Sequence, residues 1–196
     1  MSQLASRDEQ LALVREYVAG ESLVRHMLAV EAAVRAYARK LGGDEPTWAA
    51  AALLHDFDYE RWPNPPDHPL KGSEILRERG YPEEIIYAVL SHADYLQDRF
   101  PRRATLDKVL YACDELCGFI TACALVRPQR LEGLTAKSFR KKMKAAGFAA
   151  NVNREDIVKG AADLGVDLDE HIEFCVASMR DIAADLGLAE NGEREN

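Results

Sequence analysis

No stretch of this 196-residue chain approaches the ~20 consecutive apolar residues that a membrane span needs. Its first ten residues, MSQLASRDEQ, lack the basic start and apolar core of a secretory signal. Basic residues are the minority, 25 Lys and Arg against 33 Asp and Glu, and the net charge is -8. That balance argues against non-specific attraction to nucleic acid or to an anionic membrane. The expectation is a cytoplasmic protein with no membrane partner. Cysteine is also sparse: Cys113, Cys117, Cys123 and Cys175 form no C-x-x-C pair. Cys113 and Cys117 are spaced to share a helix face, so a thiolate metal site or a redox pair is the functional reading. The favoured reading in a reducing compartment is four small apolar core residues. Strand-period alternation and internal repeats are missing as well, which leaves an all-α chain.

What is present is ordinary in bulk and informative in pattern. Hydrophobic residues make up 47% and charged residues 30%, enough in a chain of this length for a good-sized core. A short helix over 8–18 stops near Gly20. Ser22 reads as the N-cap of a second helix, in which Leu23, Met27, Val30, Val34 and Leu41 recur at helical spacing before Gly42-Gly43. Pro46 sits in a helix first turn, and the alanine-rich run Trp48 to Leu54 is too apolar for a surface helix. It is the predicted centre of the fold. Residues 59–67, with Trp62, Pro63, Pro65 and Pro66, form a loop and a candidate rim. His68-Pro69 then opens a helix to Arg79, Pro82 opens another through His92, and a long helix covers 106–123. Beyond Val126 come a basic helix over 138–146, centred on RKKMK and read as a solvated face, and helices over 154–164 and 169–186. The organisation expected is a helical core over 1–126, a C-terminal helical extension over 127–188, and a disordered polar tail over 189–196.

The central helix delivers His55-Asp56 at its C-terminal end. Neighbouring residues on a helix point about 100° apart, so the pair converges only if the helix ends there and a third object lies between them. A metal ion is the natural object, since neutral imidazole and carboxylate ligate divalent metals. His26, His68, His92 and Asp114 stand on or beside other helices expected to pack on the central one. Asp114 lies on a mostly apolar helix, where a carboxylate is costly unless it is paired or metal-bound. The fifth histidine, His171, sits in an acidic stretch with Asp169, Glu170 and Glu173 and is expected to be a surface or core-edge residue without chemistry.

His, then His-Asp, then Asp on successive helices resembles the HD-domain superfamily of metal-dependent phosphohydrolases. His26, His55-Asp56 and Asp114 match that pattern residue by residue, and His68 and His92 resemble the branch with two metals. The resemblance covers roughly residues 20–125. It implies an HD-type helical core with Asp56 bridging two ions, the first taking His26, His55 and Asp114 and the second His68 and His92. Where many relatives carry HDIGK or HDxxE, Tyr59 stands here, so neither the lysine nor the glutamate role carries over. Lys71 is the substitute candidate for a phosphate contact, with Arg25 and Arg61 behind it. Asp58 could orient a water, hold a histidine, or cap the next turn.

The donors are all N and O, which favours a catalytic site with open positions over a closed structural one. The cofactor expected is a divalent transition metal, one or two ions, with Fe or Mn favoured and Zn, Ni, Co or Mg compatible. The activity implied is hydrolysis of a small phosphorylated substrate, a phosphomonoester, nucleotide or dinucleotide, by metal-activated water, with Asp56, Asp58 and Lys71 as candidate catalytic residues. The alternatives are a di-iron oxygenase on the same ligands and a metal-dependent sensor module. Oligomeric state is not legible.

Overall fold

The computed structural model describes residues 4–190. Among them are α1 (Arg7–Tyr17), α2 (Glu21–Leu41), α3 (Glu45–Leu54), α4 (Asp67–Glu78), α5 (Glu83–His92), the 3-10 turn η1 (Asp94–Leu96), α6 (Thr105–Leu125), α7 (Ala136–Met143), α8 (Arg154–Leu164) and α9 (Leu168–Arg180). The described residues hold no strand, and the chain is all-α as expected. Most of the expected tail, 191–196, lies outside the described residues.

The chain divides into two compact units, Met1–Tyr111 and Ala112–Asn196, with the division inside α6. In the first unit α3 is the central element, packed against α1, α2 and α5. Every residue from Trp48 to Leu54 is buried. Small side chains at Ala49 to Ala52 leave room for neighbouring helices on all sides of α3. Asp44 accepts from the Thr47 N–H as N-cap, and Pro46 fills the first turn, where its missing N–H costs nothing. Leu53, Leu54 and Phe57 join Val14, Val24, Met27, Ile86 and Val89 in one cluster. Each such fully buried side chain contributes about 1.5–3 kcal/mol relative to exposure.

Two local expectations change. Ser22 lies inside the first turn of α2; Gly20 is the N-cap with no side-chain cap bond, and the Glu60 carboxylate accepts from the N–H groups of Ala19 and Gly20 just before the helix. A carboxylate reaching back from the 59–67 loop therefore fixes the chain entering α2, which local sequence could not reveal. In α4 the regular helix begins after Pro69, because His68 (ψ 136°) and Pro69 are not helical. That break turns His68 out of the helical path. Gly42 ends α2 in the left-handed conformation, φ 74°, as its position predicted.

In the second unit, α7 carries a reciprocal cap between Thr135 and Ser138. Its basic residues Arg140, Lys141, Lys142 and Lys144 are exposed, and Arg140 pairs with Asp169. That is the solvated face expected. Helix α8 closes tightly on the start of this unit: a Cβ on Gly160 would stand 2.7 Å from Ala112 Cα. His171 departs from expectation, being 1% exposed rather than at the surface. No described helix is long and apolar enough to cross a membrane.

Candidate metal centre

Two histidines owe their direction to helix ends. The last carbonyls of a helix have no partner within it. His55, the C-cap of α3, turns Nδ1 onto the carbonyl of Ala52 at 2.8 Å. His92, the last residue of α5, does the same with the carbonyl of Val89. A carbonyl only accepts, so both rings donate from Nδ1 and present Nε2 inward. Straight after His55 the chain leaves the helix through a turn in which the Tyr59 N–H donates to the Asp56 carbonyl. The neighbours His55 and Asp56 thereby face one space.

The Asp56 carboxylate is the hub of that space. Its Oδ2 lies 3.5 Å from His55 Nε2 and 3.9 Å from His26 Nε2. Its Oδ1 lies 3.2 Å from His68 Nε2 and 3.5 Å from His92 Nε2. The sets His26, His55, Asp56 and Asp56, His68, His92 each bring three ligand atoms within 4.8 Å of one another, and they share the one carboxylate. His55, His68 and His92 are buried, while the side chains of His26 and Asp56 are 21% and 15% exposed, so the cluster opens on their side.

His68 is held differently. Its Nδ1 lies 2.7 Å from Asp58 Oδ1, and Asp58 Oδ2 accepts from the Gly72 N–H at 2.7 Å. Asp58 is fully buried, so both its oxygens are satisfied by the protein. Of the roles expected for it, the geometry displays the hold on a histidine. A carboxylate that fixes a ligating imidazole from behind is the usual support of a metal-bound histidine. The Tyr95 hydroxyl donates to the His68 carbonyl, and the Tyr59 ring stands edge-on 5.1 Å from the His68 ring.

The donor set fits a divalent metal. For His55 and His92, Nδ1–H is committed to a carbonyl, so in the neutral ring Nε2 turns a lone pair toward a carboxylate oxygen. Two acceptors at that distance require positive charge between them. Protonating all four rings would crowd four cations into one pocket, whereas a divalent ion on each side of Asp56 would satisfy every contact.

The sequence comparisons agree with the geometry. The family model of the HD domain matches residues 23–117. Residues 23–117 are an HD domain. The matched span holds all six candidate ligands, His26, His55, Asp56, His68, His92 and Asp114, and excludes α7, α8 and α9. Ribonuclease Y of Desulfotalea psychrophila is 31% identical over 106 residues, which cover 50% of this chain and 18% of that protein. The chain thus matches less than a fifth of that relative's length. No solved structure matches the chain.

Without an ion the charges of the HD domain fall on protons. Burial acts to raise the Asp56 carboxyl, but the imidazole of His55 and the hydrogen bonds from His68 and His92 hold it well below the usual carboxylate range. Burial acts to lower His68, but Asp56 and Asp58 overcome it and push the imidazole up to about 10.

Asp114 lies half-buried on the part of α6 that belongs to the second unit. Lys71 lies on an exposed face of α4, its ammonium 3.3 Å from Glu74. Arg61 stacks on the Tyr17 ring, 3.9 Å from its centroid, and donates to the Glu16 carbonyl. Arg25 is exposed. Sequence reasoning missed Gly72 and Tyr95. A Cβ on Gly72 would meet Asp58 Cγ at 2.8 Å, so only glycine lets α4 approach that carboxylate. The available signal was a lone glycine inside a helical pattern, which usually marks close packing. No sequence signal marked Tyr95.

Proposed function

We propose that this chain is a phosphohydrolase with a dinuclear metal centre, bridged by Asp56 and acting on a small phosphate ester. One observation carries the reading: each oxygen of a single carboxylate faces two histidine Nε2 atoms. His26 and His55 would hold one ion and His68 and His92 the other. Asp114 is proposed for the first ion on the family pattern. Ions bound there supply Lewis acidity toward a phosphoryl oxygen and lower the pKa of water. Iron and manganese suit the mixed imidazole and carboxylate donors.

The protein's share is orientation. The Ala52 and Val89 carbonyls keep the proton of His55 and His92 on Nδ1, so Nε2 stays available. Asp58 does the same for His68, and the Gly72 N–H keeps that carboxylate from turning. Burial of three of the four histidines excludes water from the back of the cluster, leaving the side of His26 and Asp56 for substrate. Tyr59, 43% exposed beside His68, stands at the rim. Lys71 is left out of the machinery because it is paired with Glu74.

The similarity to Ribonuclease Y makes an RNA phosphodiester the rival substrate. The net charge of -8 favours a small ester over a long polyanion. The test is phosphate release from a panel of monoesters and nucleotides by chain loaded with manganese or iron. Turnover should stop on chelation, return with metal, and proceed without oxygen. Cleavage of RNA oligonucleotides with no turnover of small esters would overturn the substrate class, and strict oxygen dependence would overturn the reaction.

A further inference from the structure

The second unit contains a donor cluster of another chemistry. Cys113 and Cys117 are four apart on α6, and His171 and Cys175 are four apart on α9. Each pair therefore lies one turn apart on one helix face. The ligand atoms of Cys113, His171 and Cys175 all come within 4.8 Å of one another. Cys117, also fully buried, shares a hydrogen bond with Cys175. His171 Nε2 lies 3.0 Å from the Ala112 carbonyl, so it carries the proton there, and Nδ1 turns a lone pair toward Cys175 Sγ at 3.7 Å. A backbone carbonyl again fixes the tautomer and aims the other ring nitrogen into the cluster, as at His55 and His92.

We propose that Cys113, Cys175 and His171, with Cys117 as fourth donor, form a structural metal site for Zn2+ within the unit Ala112–Asn196. Three sulfurs and one imidazole nitrogen are a soft, four-membered set, which suits tetrahedral zinc and leaves no position for substrate. All four residues are buried, which also fits a closed site. Burial pushes the thiols of Cys113 and Cys175 up, and the hydrogen bond with Cys175, followed by burial, does so for Cys117, so the metal-free thiols keep their protons. As the ion enters, each coordinating thiol releases its proton to solvent and a sulfur–zinc bond replaces the S–H bond. Nothing is oxidised or reduced. The ion would clamp α9 to the second half of α6 and contribute to the stability of this unit. Neither Cys117 nor Cys123 belongs to the group of three within 4.8 Å, and of the two it is Cys117 that touches that group, through Cys175. All four cysteines are free and buried, as expected, and the proposal adds a ligand role to that buried position. The surviving alternative is an S–H···N hydrogen-bonded core without metal.

The test uses the whole 196-residue chain, reduced and stripped of metal, titrated with Co2+. Thiolate ligands give cobalt a near-ultraviolet charge-transfer absorption that the N and O donors around Asp56 cannot give. The expected result is a band whose final amplitude corresponds to one thiolate-bound cobalt per chain and which is displaced by Zn2+. It should persist in Asp56→Asn and vanish in Cys113→Ser and in Cys175→Ser, with circular dichroism reporting helix content. No band from the folded, reduced wild-type chain overturns the proposal, as does a band that survives in the double variant Cys113→Ser, Cys175→Ser. The wild-type titration decides the matter alone, so misfolding of a serine variant does not shelter the proposal.

Discussion

Replacing Gly72 with alanine separates helix propensity from support of the metal centre. In an unconstrained helix interior, glycine to alanine stabilises by about 1 kcal/mol. Gly72 sits in α4 with an ordinary helical backbone, so propensity alone predicts a gain. The packing predicts a loss. The new Cβ would lie 2.8 Å from Asp58 Cγ, 2.9 Å from Oδ2 and 3.1 Å from Oδ1, closer than real Cβ contacts come. Asp58 is fully buried and tied to His68 Nδ1 and the Gly72 N–H, so it has little room to give. Overpacking of this kind costs about 1–3 kcal/mol, and weakening a hydrogen bond to a charged group costs about 1.5–3 kcal/mol. Set against the propensity gain, Gly72→Ala should destabilise by roughly 2–5 kcal/mol. Because Asp58 fixes His68, affinity for metal on the His68 and His92 side should fall roughly ten- to a hundred-fold, with the His26 and His55 side little changed. Urea unfolding of the metal-free chain and metal titration of the folded variant measure the two effects. A variant about 1 kcal/mol more stable than wild type, with full metal affinity, would refute the role given to Asp58 and Gly72.

Asp58→Asn should keep the fold, as read by circular dichroism, while weakening metal on the His68 side roughly ten- to a hundred-fold in equilibrium titration, because an amide fixes the His68 tautomer less firmly. Lys71→Ala should leave kcat and KM within about twofold, since an exposed pair such as Lys71 with Glu74 contributes little; a ten-fold or greater rise in KM in steady-state kinetics would return Lys71 to the phosphate site. The metal-free chain should lose stability as pH rises from about 6.5 to about 10. His68 holds a proton more tightly folded than unfolded, so its contribution is full below 6.5 and gone above its folded value. Urea midpoints across that range check the sign.

Much of the fold was legible because helix ends and periodicity are local signals. Gly42, Pro46 and the apolar run Trp48 to Leu54 do in the structure what their residue types predict. The histidines of the cluster and Asp56 were legible through pattern and spacing. What was not legible depends on contacts between distant segments. Glu60 holds the chain entering α2 from 40 residues away, and the cap itself is Gly20 rather than the nearby Ser22. Asp58 takes its partners from His68 and Gly72, ten and fourteen residues on, which sequence spacing does not reveal. His171 carries acidic neighbours that suggest a surface, yet its own face of α9 is turned inward, where the ring meets the Ala112 carbonyl. Lys71 was ranked by nearness in sequence to a ligand, and in the structure its ammonium lies 3.3 Å from Glu74.

The central claim is that one carboxylate serves two ions. Its most direct test is metal per chain, by elemental analysis of folded protein, in wild type, Asp56→Ala and His92→Ala. The account predicts two ions in wild type, one tightly held ion in His92→Ala, and none tightly held in Asp56→Ala. A wild-type chain that binds a single ion, with that ion unaffected by loss of His92, would contradict it.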